Sequence, residues 1–375
     1  MKRNHQSPGL QFYFAGLILL CTLTFVSSCR KLDRFNPTLK HFTQVNLVDN
    51  NREYGAPNTD PLQLNAWGIA FSPNGIAWVN SQAGHVSALY DKEGVPVRPP
   101  VNVPSPGGPT GGNPTGIVFN GSAVFHLSGG AAARVIFVGV DGVLSGWNPA
   151  SGDNAELIKN NAETSAYTGL TLDSVDGSRY LYAADFRAGK VEVWDGQFAP
   201  VSMSFTDPGI PAGFAPFNVQ RVDGWIYVTY AKVGEDGEDQ PGEGLGYVSI
   251  FKPNGDFVKR FASQGPLNAP WGIAKAPASF FRDVENDWDD MENGKTSGSS
   301  KILIGNFGDG YINVYTEGGT CLGQLKSRGR PIAIEGLWAI TFPPATATAI
   351  DPNRLYFAAG PKDEADGLFG YIIKQ

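Results

Sequence analysis

The chain has 375 residues, of which 47 are Gly and 27 are Pro, and only 17% are charged. This composition favours many short strands joined by tight turns and argues against long amphipathic helices. The net charge is −7, and no basic cluster offers a run of phosphate contacts. Nucleic acid is therefore excluded as an expected partner.

The N-terminal residues have the pattern of a targeting signal. Lys2 and Arg3 precede an apolar run from Phe12 to Val26, which is shorter than the roughly 20 residues of a membrane-spanning helix. The run ends in Val26-Ser27-Ser28-Cys29, which resembles the lipobox of bacterial lipoproteins, where the cysteine becomes the acylated first residue. An ordinary signal peptide and an uncleaved anchor are the alternatives.

These features predict a lipoprotein signal peptide over residues 1–28, a lipidated Cys29 with a linker to residue 39, and one domain over residues 40–375. The predicted partner of Cys29 is a membrane. Arg30 replaces the Asp that retains many lipoproteins at the inner membrane, so the resemblance indicates the outer membrane of a Gram-negative bacterium.

The cysteine count agrees with this interpretation. Cys21 lies in the predicted signal and Cys29 would carry lipid, so only Cys321 remains in the domain. We therefore expect no internal disulfide, and we expect Cys321 to be a buried structural thiol rather than a nucleophile.

A short phrase recurs six times at intervals of about 50 residues. In each copy an aromatic residue or Thr precedes a small or polar residue, within a strand-like run. The copies are Asn65-Ala66-Trp67-Gly68-Ile69-Ala70, Asn113-Pro114-Thr115-Gly116-Ile117-Val118, Ala166-Tyr167-Thr168-Gly169-Leu170-Thr171, Ala215-Pro216-Phe217-Asn218-Val219, Ala269-Pro270-Trp271-Gly272-Ile273-Ala274 and Gly336-Leu337-Trp338-Ala339-Ile340.

Each phrase is followed by a second and a third apolar strand and usually by a fourth, which is typical of propeller blades. The last repeat stops after its third strand at Ile373, while the alternating segment from His41 to Val48 belongs to no repeat. The sequence therefore predicts an all-β fold, a six-bladed β-propeller that is closed by an N-terminal strand.

Two acidic insertions interrupt the repeats, at residues 232–245 and 281–299. They join different strand pairs, so we expect them on opposite faces and interpret both as solvated loops. In the second insertion, Asp287, Asp289 and Asp290 offer a weak calcium pattern, and Trp288 is a candidate exposed contact residue.

The phrases Asn65-Ala66-Trp67-Gly68-Ile69-Ala70, Tyr182 to Asp195 and Ala215 to Gln220 resemble an uncharacterised family of secreted bacterial propeller proteins. Some members of that family carry a C-terminal exosortase sorting tag. More distantly, the repeats are similar to NHL-type and gluconolactonase-type propellers. The resemblance implies the fold and no particular reaction.

The candidate site is the face on which inner strands begin and second strands turn into third strands. Seven polar side chains are predicted there: Asn65, Asn113, Asp185, Arg187, Asn268, Asn306 and Glu335. Of these, Glu335, Asn65 and Asn113 are the candidate calcium ligands, because a carboxylate with amide oxygens suits a hard cation. Local turn bonding is the alternative for the Asn and Asp residues. Arg187 could bind a carboxylate or sulfate bidentately, but we expect a structural bond to Asp185 or Asp195.

Four aromatic residues occupy equivalent places in the inner strands: Trp67, Phe217, Trp271 and Trp338. Recurrence of this kind predicts blade-to-blade packing, although exposed rings would also suit sugars or cations. The leading functional hypothesis is a cell-envelope scaffold for an unknown protein, glycan or small-molecule ligand. A calcium-dependent lactonase or hydrolase on the channel face, and a glycan-binding or glycan-cleaving protein, are the alternatives, so enzymatic activity stays open.

Overall fold

The computed structural model describes residues 39–282 and 300–375. The predicted signal peptide, Cys29, Trp288 and the aspartates of the 287–290 segment lie outside these residues. The described chain is all-β, with short 3-10 turns at Pro149–Ser151 and Ala278–Phe281. No helix within it is long and apolar enough to cross a membrane.

Strands β1 (Phe42–Asp49) and β2 (Asn58–Thr59) come first in the chain. Blade 1 follows with β3 to β6, at Ala66–Phe71, Ala77–Ser81, Val86–Tyr90 and Val101–Asn102. A hairpin of β7 and β8, at Pro104–Ser105 and Gly108–Gly111, leads to blade 2. Blade 2 has β9 to β12, at Pro114–Phe119, Val135–Gly139, Val143–Trp147 and Glu156–Asn160. Blade 3 has β13 to β15, at Tyr167–Val175, Ser178–Asp185 and Lys190–Asp195.

The second half of the ring repeats this order. Blade 4 has β16 to β19, at Phe214–Val222, Trp225–Lys232, Gly246–Phe251 and Phe257–Ser263. Blade 5 has β20 to β23, at Pro270–Ala276, Lys301–Asn306, Ile312–Thr316 and Cys321–Gln324. After a hairpin of β24 and β25, at Lys326–Ser327 and Arg330–Pro331, blade 6 has β26 to β28, at Leu337–Thr341, Leu355–Ala359 and Leu368–Lys374.

The six-bladed propeller that the repeats predict is confirmed, because each repeated phrase falls in the innermost strand of one blade. Blade 3 differs from the expected pattern, since its sheet has three strands. In place of a fourth strand, the chain after β15 makes a single bridge from Trp194 to Pro200, and the Val201 N–H donates to the Val193 carbonyl at 2.8 Å.

The N-terminal strand closes the ring as predicted. β1 lies antiparallel to β28, from the pair Phe42 and Lys374 to the pair Asp49 and Leu368, with one bulge. It thereby becomes the fourth strand of blade 6, so the first and last described strands of the chain pair in one sheet. Side chains of β1 also enter the core: Phe42 and Val48 are 1% and 0% exposed.

Close packing of neighbouring inner strands explains the small residue that follows the aromatic residue or Thr in the repeat. A Cβ placed on Gly68 would lie 2.2 Å from the Thr115 carbonyl oxygen of the next blade, and a Cβ on Gly272 would lie 2.7 Å from the Trp338 carbonyl oxygen. Adjacent inner strands therefore approach backbone to backbone at these positions, where a side chain has no room.

One sequence prediction about the cysteines is wrong. Cys321 is disulfide-bonded and half-buried at the start of β23, so it is not the free buried thiol that we expected. The chain's other two cysteines, Cys21 and Cys29, lie outside the described residues. The prediction followed from counting Cys21 as removed with a signal and Cys29 as lipidated, which left no partner for Cys321.

Candidate functional site: a cleft on the channel face

An aromatic plug fills the propeller axis around Trp338. Its indole stacks on Trp67 with ring centroids 3.5 Å apart and on Phe307 at 4.0 Å. Phe217 and Trp271 meet the same indole at 5.7 and 6.0 Å. Trp67, Trp271 and Trp338 are 5%, 6% and 1% exposed, so the packing interpretation of the recurrent aromatics is confirmed. A glycan platform, which needs exposed rings, loses support.

A cleft of 570 Å³ lies on the face where inner strands begin and second strands turn into third strands. We call it the channel-face cleft. Five aromatic side chains form its floor, namely Trp67, Phe186, Phe214, Phe217 and Trp338, and four carboxylates lie in its wall, namely Asp236, Glu238, Asp239 and Glu364. Arg187 also lines it. The cleft therefore combines apolar rings with an excess of negative groups.

Asn65 connects the plug with the acidic wall. Its side chain is fully buried, and its Oδ1 accepts a hydrogen bond from the Trp338 Nε1–H at 2.9 Å. Its Nδ2 donates to Glu364 Oε2 at 3.0 Å and to Gln82 Oε1 at 3.1 Å. Since a buried amide is held by three partners, the position of Glu364 is fixed relative to the aromatic floor.

Two wall carboxyls titrate far above their usual range. Burial and the negative charges of Glu364, Glu238 and Asp236 raise the pKa of Asp239 to about 7. Burial and the negative charges of Glu238 and Asp363 raise the pKa of Glu364 to about 7 as well, and this increase outweighs the opposite effect of the hydrogen bond from Asn65. An unfolded carboxyl titrates near pH 4, so the folded protein binds more protons between about pH 4 and pH 7. Stability therefore falls as the pH rises through that window.

The loop that carries Glu364 has an energetically unfavourable backbone conformation. Lys362, Asp363 and Glu364 have φ angles of 55°, 52° and 67°, a left-handed region that disfavours residues with a Cβ. Strain of this kind persists where surrounding contacts enforce it, and it is concentrated at functional sites. Here it adds to the electrostatic cost of Glu364 in the same loop.

Of the seven predicted site residues, Arg187 lines the channel-face cleft, and the buried Asn65 lies behind the lining, where it bonds to Gln82 and Glu364. The Arg187 Nη1 donates to the carbonyl oxygens of Ala162 and Ser165 at 2.9 and 3.3 Å. We had expected Asp185 or Asp195 to accept a bond from Arg187, but the acceptors are these two carbonyl groups instead. Arg187 therefore supports the cleft wall through backbone carbonyls.

Three other predicted residues hold turns. Asp185 Oδ1 accepts the N–H groups of Ala166 and Ala188, each at 3.0 Å. Glu335 is exposed, and its Oε1 accepts the Lys362 N–H at 3.0 Å. Asn113 uses its backbone N–H to reach Asp141 Oδ2 at 3.0 Å.

The last two predicted residues, Asn268 and Asn306, share one carboxylate. Their Nδ2 groups donate to opposite oxygens of Asp309 at 3.3 and 3.0 Å, and the Asn268 Oδ1 accepts the Gly242 N–H at 2.6 Å. The seven residues thus belong to several separate loop networks. Within residues 39–282 and 300–375, no three His, Cys, Asp or Glu side chains are grouped to hold a metal. Calcium at Glu335, Asn65 and Asn113 stays a prediction.

Sequence reasoning missed the acidic wall. Asp236, Glu238 and Asp239 lie in the insertion between β17 and β18, which we had interpreted as a solvated loop. Glu364 lies in the connection between β27 and β28. A signal was present, because both segments join a second strand to a third and therefore emerge on the candidate face.

Two curated proteins of Acanthamoeba polyphaga mimivirus are similar to most of this chain. Uncharacterized protein R648 is 29% identical over 371 residues, which cover 95% of this chain and 87% of that protein. Uncharacterized protein L690 is 31% identical over 355 residues, which cover 88% of this chain and 86% of that protein. The chain belongs to the family of L690.

Membership in the L690 family leaves the biochemical activity open. Both relatives are viral, so these matches do not support the bacterial origin or the sorting tag that the sequence resemblance implied. No family model matches the chain. A solved structure of a streptogramin B lyase aligns with 89% of this chain and 98% of its own chain, with a TM-score of 0.49 and 12% sequence identity. This match carries no inference about activity.

Proposed function

We propose that this protein is a ligand-binding scaffold whose propeller takes a small molecule in the channel-face cleft. The observation that supports this function is the cleft itself. Its volume of 570 Å³ falls within the range of about 300–1,000 Å³ that is usual for small-molecule sites. Its lining combines aromatic and aliphatic side chains with polar and charged groups that could orient a ligand.

A fragment screen on the purified full-length protein tests this function. We expect several fragments to raise the melting temperature of the wild type and to lose at least tenfold in affinity in Ala188→Trp. Ala188 is exposed and lines the cleft, so an indole at this position fills the ligand volume. Ala131→Trp is the matched control, because Ala131 is an exposed loop residue between β9 and β10. Fragment binding that Ala188→Trp leaves unchanged would place the ligand elsewhere and refute the proposal.

We further propose that the scaffold is presented at a cell envelope through lipid on Cys29, at the outer membrane of a Gram-negative bacterium. The lipobox-like Val26-Ser27-Ser28-Cys29 supports the anchor. The disulfide of Cys321 counts against the anchor. Cleavage before Cys29 would remove Cys21, and one sulfur atom cannot carry both a thioether-linked lipid and a disulfide.

Mass spectrometry of the non-reduced protein separates these two states of Cys29. The anchor predicts a Cys29 peptide with the added mass of a diacylglycerol group, together with detergent-dependent extraction from membranes. A Cys29 peptide linked to the Cys321 peptide would contradict lipidation. Cys29→Ser is the control for both assignments.

A further inference from the structure

The acidic wall of the channel-face cleft has four carboxyl groups, whereas the lining contains one guanidinium, that of Arg187. Among the described residues, none of Asp236, Glu238, Asp239 and Glu364 takes part in a salt bridge. Arg187, the cation that lines the cleft, donates to backbone carbonyls. Lys232 Nζ also lies 5.4 Å from the ring centroid of Phe214, another residue of the lining. Because the four carboxyl groups outnumber these two cations, a positive group in the ligand would be attracted to the wall.

The floor indicates what kind of cation fits. The apolar part of the lining tolerates the alkyl groups of an alkylated amine, whereas a metal ion requires several convergent oxygen ligands. Trp67 and Phe186 line the floor as packed rings that are 5% and 6% exposed, so they offer apolar contact rather than an open aromatic face. The arrangement therefore favours an organic ammonium group over a bare metal ion.

Trp67 adds an independent unsatisfied group. It lines the same cleft and is 5% exposed, and its buried Nε1–H donates to no acceptor within the part of the chain that the structure describes. A buried donor without an acceptor costs stability. The Nε1 atom is closed to solvent in the free protein, so a ligand oxygen would accept its hydrogen bond only after a shift of the floor opens it.

We propose that the channel-face cleft selects a small organic cation, an ammonium compound of the amino alcohol type, with Asp239 and Glu364 as the principal anionic contacts. This inference rests on the proposed ligand-binding function and narrows it to one chemical class. It also explains why the fold retains Glu364 on a strained loop in a repulsive environment, because groups that oppose stability are characteristic of binding sites.

Choline chloride and its neutral isostere 3,3-dimethyl-1-butanol test the charge requirement directly. In calorimetric titrations of the full-length protein at pH 8, we expect choline to bind at least tenfold more tightly than the neutral alcohol. Glu364→Gln should weaken choline binding at least tenfold. Glu235→Gln is the matched control, because Glu235 is exposed in the loop of Asp239 but does not line the cleft, and it should change affinity less than twofold.

The pH dependence supplies a second readout. Choline keeps its charge at every pH, so protonation of Asp239 and Glu364 should weaken its binding as the pH falls from 8 to 5.5. The charged groups around this pair are Asp236 and Glu238 beside Asp239, Asp363 beside Glu364, and Arg187 in the cleft lining. No histidine is among the described residues of that lining.

Folding of Glu364→Gln is checked by its melting temperature. The charge that this variant removes opposes folding above pH 7, so its melting temperature at pH 8 should equal or exceed that of the wild type. Equal affinity for choline and the neutral alcohol, with both lost in Ala188→Trp, would overturn the cation inference and leave the proposed function intact. Choline binding that survives both Glu364→Gln and Ala188→Trp would overturn the inference as well, as would the absence of choline binding.

Discussion

A chain that lacks Phe42–Asp49 should fail to form a stable monomer. The deletion removes β1 and leaves β28 with an unpaired edge next to the buried Ile372 and Phe369. It also removes Phe42 and Val48 from the core, at about 1.5–3 kcal/mol for each buried side chain. Lost strand pairing adds to this sum, so the total approaches the roughly 5–15 kcal/mol by which domains are stable.

Size-exclusion chromatography and thermal denaturation measure this effect. We expect the deletion variant to elute as aggregate, because an exposed apolar edge pairs with other chains, and to lose its cooperative melting transition. A synthetic peptide of residues 39–50, added during refolding, should restore a monomeric peak, whereas a scrambled peptide should not. A deletion variant that elutes as a monomer with an unchanged melting temperature would show that β1 does not hold the ring closed.

Trp338→Ala should destabilise the protein by about 3–5 kcal/mol, the range for truncating a buried Trp. Trp338 is 1% exposed and contacts aromatic rings from blades 1, 4 and 5. Its removal would leave a cavity on the axis that no single blade can refill. The Asn65 Oδ1 would also lose its donor, and the loss would extend to the Glu364 contact.

Urea denaturation tests this prediction against a second tryptophan. Trp225 is 41% exposed, so Trp225→Ala should change the free energy of unfolding by less than about 1 kcal/mol. Trp338→Phe keeps a ring in the plug, so its loss in the free energy of unfolding should lie between those of Trp338→Ala and Trp225→Ala. Equal losses for Trp338→Ala and Trp225→Ala would contradict a stabilising plug at the axis.

The fold was predictable from sequence because its signal is periodic. A blade cannot bury its faces alone, so each of the six repeats must carry the same inner-strand phrase, and Gly68 and Gly272 recur where backbones touch. The closing role of His41 to Val48 followed from a missing strand in the last repeat. The absent fourth strand of blade 3 was not predictable, because the segment after Asp195 is not distinguished by its composition from the outer strands of other blades.

The site was less predictable than the fold, because the residues that line a binding cleft do not recur at a fixed spacing in the sequence. Asn65 and Arg187 were found by their position on the channel face, but their partners Glu364 and Ala162 come from other blades and loops. Burial, which raises the pKa of Glu364, depends on how those loops pack together. Nothing in the local sequence around Glu364 separates it from an exposed acidic turn.

A crystal structure of the full-length protein with bound choline would test the central claim most directly. The account predicts choline in the channel-face cleft, with its ammonium group beside the carboxylates of Asp239 and Glu364 and its methyl groups against the apolar part of the lining. Choline bound only at another surface, with the cleft closed by the loop of residues 233–245, would contradict it.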